Sequence, residues 1–414
     1  MESERLSKGR ENFIIALLFV ACGSVMATRF GITNSFAYMK DVTVTPVEMG
    51  LIMSVHSIAW GISSLILGFL SDFVQKQRFF MIGCLVVSSV LGLAIGFAPS
   101  IETIIILRAL IGVFQGPLLP LVQSAARMSS SPSRVGLNLG LVIAGGSLLG
   151  RSLPSAVVPS LSAQSNSAWR APMIGIGAIG IVVGVFLLIF YKENKQASSS
   201  IKTRTKKVSV ADIKDLLKNR NFLLGVFGAV GAIGWTLCLS TYAAAYLETE
   251  TTATTAQLSL ILSSSALAGM ASNIVLPSLS DKIGRKPSYI LCGIGLVLAP
   301  LILVLFRDNM GIVLPVVFYG VGHLVGNCGM SLNTYVIVGE SVPTHLITTA
   351  YSICLCAGEL LGGTAGPAIA GAVANQHGLS SAMYITSLFG ALCLFCALLI
   401  KETLATKNGT ASVK

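Results

Sequence analysis

Long apolar runs separated by short polar stretches repeat from one end of the chain to the other. A helix rises about 1.5 Å per residue, so crossing a hydrocarbon layer of about 30 Å takes roughly 20 apolar residues. Runs that meet this test lie at 12–38, 47–70, 79–98, 102–126, 135–158 and 169–190, then at 221–247, 256–279, 288–306, 311–338, 346–374 and 380–400. The pattern predicts twelve membrane-spanning helices in two sets of six. The longest polar stretch, 191–220, separates the sets and carries nine basic residues and the serines Ser198, Ser199 and Ser200. Its end, from Val210 to Leu217, alternates apolar and charged positions, and Ser209 followed by Asp212 is a capping signal. We read a cytoplasmic linker with a short interfacial helix; a disordered tether is the alternative for its first half. The expected organisation is an all-α membrane protein: a six-helix bundle over 1–190, the linker 191–220, and a second bundle over 221–414.

Composition agrees with that pattern and removes other classes. Of 414 residues, 53% are hydrophobic and only 11% charged, with a mean hydropathy of +0.80. A soluble domain carries about 25% charged residues, so most of this surface is expected to face lipid. The formal charge of +11 sits in loops and tails, where it reports topology and not nucleic-acid binding. With both termini cytoplasmic, inner segments hold 22 of the 28 Lys and Arg, and outer loops hold only Lys40, Arg170 and Arg307. This bias predicts a multi-pass protein of the cytoplasmic membrane with both ends inside. The first ten residues are polar and basic, unlike a cleavable leader. The nine cysteines fall in apolar runs without metal-ligand spacing and read as small buried hydrophobes. No metal site, cofactor or catalytic set is expected, and no G-x-x-x-x-G-K-[ST] loop points to ATP.

The two halves echo each other. Gly68, Asp72, Lys76 and Arg78 follow the second run; Asp281, Gly284, Arg285 and Lys286 follow the eighth, with the aspartates 209 residues apart. These loops resemble the signature of the major facilitator superfamily, although Phe73 and Gln75 depart from it in the first copy. Arg108, Gly112, Gln115 and Gly116 match that superfamily's fourth-helix signature, and Glu340-Ser-Val-Pro343 the end of its tenth helix. The resemblance spans the chain and implies a secondary transporter in which Asp72, Lys76, Arg78, Asp281, Arg285 and Lys286 form a conformational latch. Arg29-Phe-Gly-Ile-Thr33 and Glu48-Met-Gly50, taken with Arg108, are similar to the anion:cation symporters, which include galactonate, sialic acid and vesicular glutamate transporters. There the first- and fourth-helix arginines serve anion recognition and gating. Thr28, Gly31 and Gln115 replace that family's usual aspartate, asparagine and proton-coupling glutamate, which leaves coupling open.

Charges inside spans carry the functional expectation, because an arginine at a helix centre costs about 2.5–3.5 kcal/mol on insertion scales. Arg29, Arg108 and Arg151 lie in the first, fourth and fifth runs, roughly 6–9 Å outward of the helix midpoints. Three guanidinium forks at one depth suit a carboxylate or phosphate. Arg29, Arg108, Arg151, Gln115, Thr33 and Asn34 are the expected substrate contacts; snorkelling of Arg29 and a structural role for Arg108 are the alternatives. Subtracting acids in tails, loops and motifs leaves Glu359 alone, opposite position 150 in the repeat. Glu359, assisted by His323, is the expected proton carrier; pairing with an arginine across the cavity until the substrate's carboxylate displaces it, and a structural hydrogen bond to a neighbouring helix, are the alternatives. Tyr38, Trp235, Tyr242, Asn327 and Asn333 are further cavity candidates. The expected function is import of a small organic anion by alternating access, proton-coupled and carried out by a monomer. A proton-driven exporter of drugs or metabolites, an anion exchanger and a non-transporting sensor are the competing readings.

Overall fold

The computed structural model describes residues 7–73, 77–131, 134–192, 210–309, 311, 313–343 and 346–404. Among them the chain is helical, with no strand. Each expected run becomes a helix: α1 (Lys8–Phe30), α2 (Pro46–Phe73), α3 (Gln77–Ile95), α4 (Ile101–Ser129), α5 (Val135–Ser162), α6 (Arg170–Phe190), α7 (Arg220–Thr249), α8 (Thr255–Ile283), α9 (Arg285–Leu305), α10 (313–341), α11 (347–377) and α12 (Ser380–Leu399). Ten described helices are by themselves long and apolar enough to cross a membrane; α8 makes eleven when its two arms, bent by 41°, count together. The apolar stretch of α10 is divided by a turn after Gly326. The short helix Val210–Lys218 precedes α7, and Leu216 on it is buried against Phe222, Val338, Val342 and Leu346, while Ile213 and Leu217 stay exposed. Ser209 lies outside the described residues, as does the first half of the linker.

By backbone contacts the chain forms two compact units. The first comprises Met1–Val44 and Val55–Thr205. Its core gathers Ile14, Leu18 and Val25 of α1 with Leu85, Leu121, Val142 and Leu187. The second comprises Thr45–Ser54 and Lys206–Lys414, so the opening of α2 belongs there. In that unit the Tyr242 hydroxyl lies 2.6 Å from the Pro367 carbonyl and 3.2 Å from that of Pro46, and Ser54 Oγ donates to Thr364 O. Outward-facing apolar side chains such as Ile106 (61% exposed) and Leu388 (64%) reflect a surface made for lipid tails.

Helix ends are closed by carboxylates placed one repeat apart. Asp41 accepts from Trp169 Nε1 (2.6 Å) and Arg170 Nε (2.9 Å) at the start of α6. Burial opposes the Asp41 charge, but these bonds and the Arg170 cation outweigh it and hold the carboxyl below its ordinary value. Glu250, 209 residues later, accepts from the backbone of Leu379 and Ser380 at the start of α12. Both place a negative charge at the positive end of a helix. One expectation needs correcting: Glu359 is not the lone buried acid. Glu11, assigned to the tail from sequence, is 3% exposed and accepts from Asn138 Nδ2 (2.7 Å) and Ser131 Oγ (3.3 Å), with Arg134 at 3.8 Å. It stands eighteen residues, roughly 27 Å, below Arg29 along α1.

Candidate functional site

The candidate site of the first unit grows from the end of α1. A helix leaves its last carbonyls without partners inside the helix, and within a membrane each must be satisfied by protein. Phe30 O accepts from Thr33 Oγ1 (2.7 Å) and Asn34 Nδ2 (3.3 Å), both in the tight turn after the helix. Thr28 O and Arg29 O accept from Nη1 and Nη2 of Arg108, at 2.9 and 3.1 Å. Arg108 is fully buried and applies its fork to the main chain of α1. Gln115 Nε2 reaches Val25 O (3.4 Å), while its Oε1 is buried with no hydrogen-bond partner. Four of the six expected substrate contacts are thus engaged with the backbone of α1.

The spacing of Arg108, Gly112 and Gly116 has a packing reason. A Cβ at Gly112 would lie 2.5 Å from His56 O, and one at Gly116 2.8 Å from Trp60 O. These glycines let α2 lie backbone to backbone on α4, and Ser63 Oγ donates to Gly112 O across the contact. The approach brings Trp60 to the end of α1, where the Arg29 guanidinium carbon sits 4.5 Å from its ring centroid. His56, one turn earlier, places Nδ1 3.3 Å from Arg108 O.

Arg151 enters from α5 on a wide π-type turn, Leu148–Ser152, closed by Leu153 N–H bonding Leu148 O. Pro154 lacks the N–H that the regular ladder needs, which favours a wide turn just before it. A Cβ at Gly150 would lie 2.2 Å from Met26 Cβ, so glycine lets this turn press on α1. The guanidinium carbon of Arg151 lies 4.1 Å from the Phe30 centroid, and that of Arg29 5.6 Å from it. The structure therefore brings Arg29 and Arg151 to one aromatic ring. Phe30 and Trp60 were not among the aromatics expected at a cavity, because nothing in their apolar runs ties a ring to the arginines it meets.

In the second unit Glu359, 8% exposed, occupies another π-type turn, Gly358–Gly363 of α11, braced by Thr364 Oγ1 bonding its carbonyl (3.2 Å). Gly358 and Gly362 set this turn against the main chain of α7 at Ala229 and Val230. A third such turn, Ser331–Val338 in α10, holds Asn333, whose amide donates to Gly225 O at 2.8 Å. His323 is packed among aromatics, its ring 4.3 Å from Tyr319 and 5.2 Å from Trp235, with Nδ1 3.2 Å from Tyr319 O. Trp235 donates to Leu296 O (2.6 Å).

The loop motif of the second half is a closed network. Arg285 donates to Asp281 (2.6 Å), Ser280 Oγ (2.6 Å) and, through two nitrogens, Glu340 (2.7 and 3.1 Å). Glu402 accepts from the backbone of Arg285 (2.9 Å) and Lys286 (3.1 Å), closing the first turn of α9 next to Gly284, whose φ of 110° favours glycine. Ser280, Glu402 and Thr403, which bonds Glu340 at 2.5 Å, were not singled out from sequence. The sign was there: Lys401-Glu402 repeats Lys192-Glu193 after 209 residues. In the first half, Arg78 donates to Leu188 O, Lys76 lies outside the described residues, and so does the side chain of Asp72. Among the described residues no His, Cys, Asp and Glu cluster could hold a metal.

The family model of the Major Facilitator Superfamily matches residues 14–360 and 233–413. The chain is 28% identical over 382 residues to the multi-drug resistance efflux pump PmrA of Streptococcus pneumoniae, covering 87% of this chain and 88% of that one. It is 25% identical to the hexuronate transporter of Bacillus subtilis over 220 residues, 52% of this chain and 51% of that one. A 30% identical stretch of 152 residues covers 37% of this chain and 37% of the uncharacterised transporter YybF of Bacillus subtilis. The fold is similar to the crystal structure of a bacterial homologue of the human lysosomal transporter Spinster, with a TM-score of 0.79 and 14% identity, over 95% of this chain and 98% of that one.

Proposed function

The chain belongs to the Major Facilitator Superfamily as a multi-pass membrane transporter, and from that premise we propose that it carries a small organic anion, a carboxylate or sugar acid, by alternating access. The observation that supports the anion is the meeting of Arg29 and Arg151 at the Phe30 ring, two guanidinium groups at one depth in a low-dielectric setting. Thr33, Asn34 and Arg108 hold the end of α1 that presents Arg29, and Gln115, whose amide reaches Val25 O one turn earlier, carries a buried acceptor in its Oε1. The similarity to a hexuronate transporter, a carrier of sugar acids by its name, runs in the same direction.

Coupling in this reading is to protons, with Glu359 as carrier and His323 as its assistant in the second unit. The two halves work as six-helix bundles joined by the linker, both termini face the cytoplasm of a bacterial cell, and the monomer is the working unit. Asp281 and Arg285, with Asp72, Lys76, Arg78 and Lys286, act as the conformational latch.

Uptake into proteoliposomes of labelled sugar acids under an inward proton gradient tests the proposal. Accumulation is expected, and Glu359→Gln is expected to abolish accumulation while sparing counterflow. No uptake of any carboxylate, with or without internal anion loading, overturns the anion reading. Full accumulation by Glu359→Gln removes that residue from coupling. The second reading, export of drugs or metabolites, is favoured by the longer match to an efflux pump; it expects proton-driven efflux of uncharged or cationic dyes.

A further inference from the structure

We propose that Cys292 and Cys328 form a thiol–disulfide site in the second unit, closed by organic hydroperoxides dissolved in the bilayer, which ties α9 to the break in α10. The inference stands apart from the anion reading. Cys292 lies two turns into α9, and Cys328 in the turn that divides α10. Both residues are fully buried, and their sulfurs are 3.7 Å apart. A disulfide bond is about 2.05 Å long, so the two thiols are in contact but not joined.

The backbone holds them there. A Cβ at Gly295 would lie 2.8 Å from Gly326 N, and one at Gly326 would lie 2.8 Å from Leu296 N. These glycines let α9 and α10 cross main chain to main chain within a turn of the thiols. The Cys292 thiol donates to Gly326 O (2.9 Å), and the Cys328 thiol donates to the Cys292 sulfur. From the other side, Cys328 N–H donates to Ser272 Oγ of α8 at 3.0 Å. Cys393 of α12 gives its thiol to a carbonyl instead, Gly228 O at 3.4 Å. Burial keeps water-soluble oxidants from the pair, since thiol oxidation follows access. Leu291 and Ile294, close to Cys292 on α9, expose apolar surface (37% and 41%), so an oxidant carried in lipid comes within one helix width.

The chemistry balances in two steps. One thiol sulfur attacks the hydroperoxide, the O–O bond breaks, and the thiol proton leaves with the alkoxide as an alcohol; the product is a sulfenic acid. The neighbouring thiol then attacks that sulfur, the S–S bond forms, and hydroxide leaves with the second thiol proton as water. Two thiols give up two electrons, and the peroxide bond takes them. The bridge closes a loop running from α9 to the middle of α10, which restrains both the unfolded chain and the break. A dithiol reductant reopens it.

The test treats purified full-length protein in lipid nanodiscs with cumene hydroperoxide, alkylates free thiols under denaturing conditions and maps the peptides by mass spectrometry. A Cys292–Cys328 disulfide is expected in most molecules, reversed by dithiothreitol, with a several-fold lower yield from hydrogen peroxide, which stays in water. The bridged protein should melt a few degrees higher than the reduced protein, and Cys292→Ala and Cys328→Ala should lack that rise. Recovery of both cysteines as alkylated thiols overturns the inference, as does pairing of Cys328 with any other cysteine or an equal rise in Cys292→Ala protein. Equal yields from the two oxidants overturn the bilayer as the source. The wild-type peptide map decides the pairing whether or not either variant folds, and none of these outcomes bears on the anion reading.

Discussion

Arg108 shows how one residue type takes different work according to what its fork meets. From sequence, residue type and depth were legible: three arginines at one level in the first half. Direction was not, because the same depth serves a ligand or a neighbouring main chain. The carbonyls of Thr28 and Arg29 take the Arg108 fork, whereas Arg29 and Arg151 turn to aromatic faces. Arg108→Lys replaces a fork by a single ammonium that serves one of two carbonyls. It should lower stability by about 1–3 kcal/mol, the penalty of a buried group left unpaired, read as a fall of several degrees in melting temperature in detergent. Arg29→Lys should weaken carboxylate binding about tenfold or more through loss of the bidentate geometry.

Helix boundaries were legible to within a few residues, since hydrophobic length and flanking polar residues set them, except at the end of α1, where the apolar run to 38 continues past Phe30 into two tight turns, 32–34 and 36–38. The wide turns in α5, α10 and α11 were not, because nothing in a run such as Gly358–Gly363 fixes whether its ladder skips four residues or five. Nor was the reach of Glu402 back to the start of α9, a contact between positions 117 residues apart. Burial opposes the Glu402 charge, yet bonds from the backbone of Leu404, Arg285, Lys286 and Thr403 outweigh it and hold the carboxyl below its ordinary value. A lowered folded value means the stabilisation is complete above the unfolded value of 4.5 and fades as pH falls through the folded one. Melting curves from pH 7 to pH 3 should therefore show wild type and Glu402→Gln converging at the acid end, with the gap open at neutral pH. The docking of α2 on α4 gives a second expectation. Gly112→Leu must displace the main chain at His56, and should destabilise by about 1–3 kcal/mol, seen as loss of monodisperse protein in size-exclusion chromatography.

For the whole molecule, the repeat of 209 residues was the most informative signal in the sequence. It aligns Asp72 with Asp281 and Asp41 with Glu250, and it sets Glu359 opposite Gly150 beside Arg151. It could not show which member of each pair does chemistry. The charge bias of the loops predicts that a fluorescent reporter fused after Lys414 glows in the cytoplasm and a phosphatase fused there stays inactive; the reverse would invert the topology.

The wide turns bear on how such a carrier changes its specificity over generations. Each holds one residue more than a regular turn, and each residue rotates the remainder of its helix by about 100°. Deleting Leu149 would return α5 to an even ladder and swing Arg151 away from Phe30 with no substitution elsewhere in the chain. Gain or loss of a single codon at Leu148–Ser152 or Gly358–Gly363 could then re-aim a charge that no substitution can re-aim. Length variation inside these two helices, normally the least tolerant place for it, becomes a route to new cargo.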